Sequence, residues 1–138
     1  MPQRASSRKG TIVDEETFTF LTELELRKAV RLHYGVSILA ILAEPHGEGE
    51  IPDPRRVAEP LARVISLAIR DTDAICLPAS SSALEVLLVA APLEHLAVII
   101  QRIADEVSRH LFEINGERKP VTLSAGGACF PTTAGTRQ

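Results

Sequence analysis

Arg70 and Asp73 stand three residues apart, just ahead of an apolar segment and a turn. A guanidinium can bind phosphate, grip the O6/N7 edge of guanine with two hydrogen bonds, or stack on a base. A carboxylate can accept from the N1 and N2 donors of the same base. The Arg-x-x-Asp pattern is short, and the chain holds a second copy, Arg102-Ile-Ala-Asp105. Taken alone, Arg70 reads as a cation at a helix C-terminus, Asp73 as a turn residue and Arg102 as a solvated helix residue.

Other reactive side chains carry less. Ser80, Ser81 and Ser82 could face a phosphate or supply a nucleophile, but a serine nucleophile needs a base oriented by a third group. None is indicated, so they read as a hairpin tip. His33, His46, His95 and His110 are scattered over helices and a loop and read as surface or boundary residues. The acidic stretch from Glu44 to Asp53 lacks the ordered ligand spacing of a calcium loop and reads as solvated charge. No metal-type Cys/His spacing occurs. Cys76 and Cys129 fall on predicted buried strands, where reduced thiols are expected.

The elements that must position these groups follow from pattern. The chain has 138 residues, 45% of them apolar, enough for one domain with a core of its own. The net charge of −3 argues against general nucleic-acid affinity. The apolar runs are too short to span a membrane, the longest being near Ile38–Ala43. The polar start has no signal-peptide core, and a cytoplasmic location is expected. Residues 1–13 read as a disordered tail, 14–131 as the domain and 132–138 as a flexible end.

Asp14 can cap a helix to about His33 that buries Phe18, Leu21, Ala29 and Leu32, with Gly35 at its exit. Val36–Ala43 is a continuous apolar run, as in a central strand covered on both faces. A second helix over about Pro54–Arg70 carries the stripe Leu61, Val64, Ile65, Ala68, with Pro60 kinking it or marking its start. Strands follow at Asp73–Leu77 and Leu84–Val89. A third helix covers about Leu93–Phe112, with Leu96, Ile100, Ile103, Val107 and Leu111 inward. Asn115-Gly116 is a turn signal, and Val121–Phe130 is a last strand. The order α-β-α-β-β-α-β, with helices on one face of a mostly antiparallel sheet, predicts an α+β, ferredoxin-like palm.

Placed in that order, several segments together resemble the GGDEF (diguanylate cyclase) family. Arg70-Asp-Thr-Asp73 sits where the family has Arg-x-x-Asp ahead of its central hairpin. Val121-Thr-Leu-Ser-Ala-Gly-Gly-Ala resembles the family's Val-Thr-x-Ser-x-Gly-Val-Ala strand. Glu15 through Leu42 resembles its first helix and strand, and Leu93 through Ile103 the helix after the hairpin. The resemblance spans about residues 14–131 and implies a nucleotidyl cyclase-like palm.

The departures are concentrated at the family's active site. Ser80-Ser81-Ser82-Ala83-Leu84 replaces the Gly-Gly-Asp/Glu-Glu-Phe tip, with one extra residue in the turn. Glu44 falls near a metal-binding Asp but is followed by Pro45, and the helix bearing guanine-binding residues is shortened into the Gly/Pro loop. Cyclase chemistry needs metal ions held by at least two carboxylates. The resemblance therefore implies no cyclase activity and no metal or other cofactor. It also implies a retained inhibitory-type site for cyclic di-GMP at Arg70 and Asp73, with Arg102 at the position of a further ligand-contacting arginine. The expected function is a cyclic di-GMP receptor that signals to a protein partner or as a homodimer, without nucleic-acid binding or membrane insertion. The alternative is a ligand-free interaction or dimerisation module on the same palm.

Overall fold

The computed structural model describes residues 10–45, 54–77, 83–114 and 116–130. The serines of the hairpin tip, the loop 46–53, residues 1–9 and 131–138, and Asn115 lie outside the described residues. Among the described residues seven strands and three α-helices follow in chain order: β1 (Thr11–Val13), α1 (Glu15–Leu32), β2 (Val36–Pro45), α2 (Pro54–Ser66), β3 (Ala74–Cys76), β4 (Leu84–Val89), α3 (Leu96–Ser108), β5 (Phe112–Ile114), β6 (Glu117–Lys119) and β7 (Val121–Phe130). A 3₁₀ turn, Leu93–His95, leads into α3.

The main sheet has the order β1-β3-β4-β2-β7. Pairings are antiparallel except β1 with β3, which is parallel. This is the expected α+β palm, with two corrections. Residues 11–13 belong to the sheet rather than to a disordered tail. Three residues carry little pattern of their own, and β1 is held because Thr11 donates to the Asp73 carbonyl at 3.1 Å and Gly10 to that of Ser66 at 3.0 Å.

The second correction concerns layering: helices cover both faces. On one face α1 packs Phe18 and Ala29 against Val36, Ala74, Cys76 and Leu87. On the other, α2 and α3 pack Leu61, Ile65, Ile103 and Val107 against Leu39, Ile41, Ile75, Val86 and Leu88. The alternation along β2 and β4 divides the residues between the two layers. The continuous apolar run of β2 required cover on both faces, and α1 supplies it on one. The β5–β6 hairpin adds Phe112 and Ile114 to the α2/α3 layer. Its turn is closed by Gly116 at φ 84°.

Helix ends differ locally from expectation. Asp14 caps α1, its side chain accepting from the Thr17 amide at 2.8 Å. The left-handed exit residue is His33, at φ 61°, not Gly35. Gly35 serves close approach instead, since a Cβ there would lie 3.1 Å from Pro92 Cα and 3.3 Å from the Ala91 carbonyl. Leu32, the last residue of α1, is 62% exposed, not buried. Helix α2 starts at Pro54 with Pro60 inside it and ends at Ser66, leaving Arg70 in the following turn. Helix α3 ends at Ser108, so Leu111 is exposed while Phe112 turns inward on β5. Cys76 and Cys129 are buried and not joined in a disulfide. Burial pushes the Cys76 thiol up to about 11, which makes it a poor nucleophile at neutral pH.

Gly127 shows how closely β7 lies on the core. A Cβ there would fall 2.6 Å from Leu39 Cδ2 and 3.3 Å from the Ile38 carbonyl, and Leu39 is fully buried. Gly127→Val is expected to cost about 1–3 kcal/mol despite valine's preference for strands. Urea denaturation of the two proteins checks this.

Candidate ligand-binding site

The antiparallel register pairs Ala74 of β3 with Leu87 of β4, so a continued ladder would put Thr72 opposite Val89. The chain has already turned there, and the Val89 amide takes a side-chain partner instead. Asp73 Oδ1 accepts from Val89 N at 2.9 Å. Asp73 Oδ2 accepts from Arg70 N at 2.9 Å, and the Asp73 amide donates to the Arg70 carbonyl at 2.9 Å. The result is a closed turn between α2 and β3, fastened to the end of β4.

Arg70 completes the arrangement. Its Nη2 donates to the Val89 carbonyl, and its Nε lies 3.7 Å from Asp73 Oδ2. The two side chains differ sharply in access: Arg70 is 58% exposed and Asp73 only 2%. Arg70 is thus a surface guanidinium with a fixed anchor, and Asp73 is the buried group that anchors it. Ala90, next along, has a left-handed backbone (φ 56°) as the chain leaves β4 for the 3₁₀ turn.

Arg70 and Asp73 share one surface cavity with Arg102, of about 640 Å³, between the end of α2, the end of β4 and one side of α3. The α3 side contributes His95, Val98, Ile99, Arg102 and Glu106. Their spacing is the helical i, i+3, i+4, i+7, i+11 pattern, so they form one stripe. Arg102 is exposed. All three residues singled out in the sequence therefore meet at one concave surface. His95 was read as a surface or boundary residue and Glu106 was not singled out, although counting helical turns from Arg102 puts both on its face. The Glu106 carboxylate is held by Arg109 Nη1 at 2.9 Å and His110 Nε2 at 3.2 Å.

The second Arg-x-x-Asp copy makes no comparable turn. Asp105 accepts from Gln101 Nε2 at 2.9 Å along the surface of α3. At the hairpin tip, Ala83 is half-buried and Leu84 is fully buried as the first residue of β4, paired with Ile41. Leu84 thus belongs to the core rather than to the turn. The backbone at Glu44 lies within β2, opposite Thr122.

Burial raises the Asp73 carboxyl above its ordinary value of 3.8, against the opposing pull of the Val89 and Arg70 amides and the Arg70 guanidinium. A carboxyl with a folded pKa above its unfolded one favours folding most when protonated. That contribution is present below pH 3.8 and is lost as pH rises through the folded value. The carboxyl carbon of Asp73, followed by NMR, is expected to titrate with a midpoint above 3.8. Asp73→Ala strands two backbone donors and is expected to cost about 2–3 kcal/mol, read from urea denaturation.

No protein-family model matches the sequence, and no curated protein matches it. Solved structures do match the fold. The GGDEF domain of FimX from Pseudomonas aeruginosa is 20% identical, with a TM-score of 0.69 over 88% of this chain and 76% of that one. The GGDEF domain of PA1120 (YfiN or TpbB), from the same organism, is 17% identical, with a TM-score of 0.69 over 86% and 76% of the two chains. The GGDEF domain of DgcB from Caulobacter crescentus, solved in complex with c-di-GMP, is 13% identical, with a TM-score of 0.64 over 96% and 82%. This chain has the GGDEF-domain fold.

Proposed function

We propose that this chain is a GGDEF-like signalling domain that binds cyclic di-GMP and performs no cyclase chemistry. The observation that carries the reading is the meeting of Arg70, Asp73 and Arg102 at one cavity of about 640 Å³. Cyclic di-GMP carries two phosphodiester charges and two guanine bases. Two exposed guanidinium groups offset the charges and can grip or stack on the bases. Asp73 acts mainly through Arg70, which it fixes against the Val89 carbonyl. The lack of cyclase chemistry rests on the sequence: serines and an alanine stand where the family's tip carries its carboxylates. Without at least two carboxylates the metal ions that activate the attacking hydroxyl have no seat.

Isothermal titration calorimetry with cyclic di-GMP is expected to give a dissociation constant in the micromolar range or tighter, about −8 kcal/mol or better. Arg70→Ala and Arg102→Ala should each weaken it at least about tenfold, a loss typical of charge-assisted hydrogen bonds; Arg102→Ala should leave the melting curve unchanged, while Arg70→Ala, which also removes contacts to the Val89 carbonyl and Asp73, should lower it with the fold retained. Affinity should fall with added salt, because the ligand is dianionic. Incubation with GTP and Mg²⁺ should yield no cyclic product. Absence of binding by the unaltered domain would refute the receptor reading.

A role as an interaction module is favoured by a separate observation: Phe20, Val30 and Leu32 of α1 are uncovered, at 63%, 62% and 62% exposure. Helical spacing points the three to different sides of α1, so Phe20, the largest, is the single candidate contact. Sedimentation across a concentration series is expected to show self-association that Phe20→Ser weakens; a monomer at every concentration would rule the homodimer out.

A further inference from the structure

Two carboxylates border the cavity, and they are not equivalent. The Asp73 side chain is 2% exposed, with one oxygen on the Val89 amide and the other on the Arg70 amide and guanidinium. Glu106 is 23% exposed, and each of its oxygens has one side-chain partner, Arg109 or His110. A carboxylate oxygen has two lone-pair sites, so both Glu106 oxygens keep an acceptor position. Arg109 and His110 fix the plane of the group.

Glu106 also stands one helical turn beyond Arg102, on the same stripe of α3. Arg102 and Glu106, with Val98, border both this cavity and an adjoining depression of about 620 Å³ on the outer side of α3. An arginine and a carboxylate side by side match the two halves of guanine: O6 and N7 accept, while N1–H and the N2 amino group donate. Adenine has no hydrogen on N1 and no amino group at C2, so its N1 lone pair would face the carboxylate.

We propose that Glu106, rather than Asp73, is the carboxylate that reads the base of a guanine nucleotide held in this cavity. The inference rests on the receptor reading above and assigns it a specificity residue on α3. Glu106 takes the two Watson–Crick donors of one base, Arg102 takes its acceptor edge or a phosphate, and Asp73 stays engaged with the backbone.

The test measures affinity for two probes, cyclic di-GMP and cyclic di-AMP, by calorimetry. The unaltered domain is expected to prefer the guanine ligand by about tenfold or more, as expected of one hydrogen bond to a charged group. Glu106→Gln should bring the ratio to within about threefold, since its amide presents a donor to N1–H, while its melting curve stays that of the parent. Asp105→Asn, on the outer side of α3, should keep the preference, while Arg109→Ala and His110→Ala, which free the Glu106 carboxylate to turn, should weaken it only in part. A preference that survives Glu106→Gln, or one lost equally in Asp105→Asn, overturns this inference and leaves the receptor reading standing. Binding of neither probe by the unaltered domain overturns both.

Discussion

A carboxylate with almost no access to water has to find partners within the fold, and the ones Asp73 finds determine how four segments meet. Its oxygens hold the Arg70 amide at the exit of α2 and the Val89 amide at the end of β4. Its own carbonyl holds Thr11 and so docks β1. Leaving such a group unsatisfied would cost more than any one of its bonds contributes. The turn between α2 and β3 is therefore closed in one geometry. Arg70, although exposed, is delivered to a fixed place beside the cavity.

That arrangement separates two jobs that a short motif runs together. The acid supports and the base presents. The cost of burying the acid appears as its raised pKa, and the guanidinium 3.7 Å away is one of the groups that offset it. Across the cavity, α3 offers a stripe in which His95 at one end and Arg102 and Glu106 at the other flank the apolar pair Val98 and Ile99. Its inner face, Leu96, Ile103 and Val107, is spent on the core. The same helix thus fixes the core and points charge at the concave surface, opposite the turn that carries Arg70 and Asp73.

Much of this was legible in the sequence. The apolar run of β2 pointed to a doubly covered strand, Asp14 to a cap, and Gly116 to a turn. Arg70, Asp73 and Arg102 do border one cavity. What pattern alone missed has physical causes. A three-residue strand such as β1 has no periodicity to detect and exists because Asp73 and Ser66 offer carbonyls to it. The one-sided layering failed because the placement of α1 depends on which sheet face α2 and α3 leave open. The burial expected of Leu32 failed because a helix end lacks the neighbours that its middle has. The burial of Asp73 was not foreseen, because a motif gives residue types and spacing but not solvent access. Val89, a strand valine, could not be foreseen as the anchor of Arg70, since its role lies in its backbone.

The most direct check on the central claim is an amide chemical-shift map of the ¹⁵N-labelled domain titrated with cyclic di-GMP. The account expects saturable shifts at Arg70, Val89 and Ala90, and along the α3 stripe from His95 to Glu106, with β7 and the outer side of α1 unmoved. Shifts confined to β7 or α1, or none at saturating ligand, would contradict it.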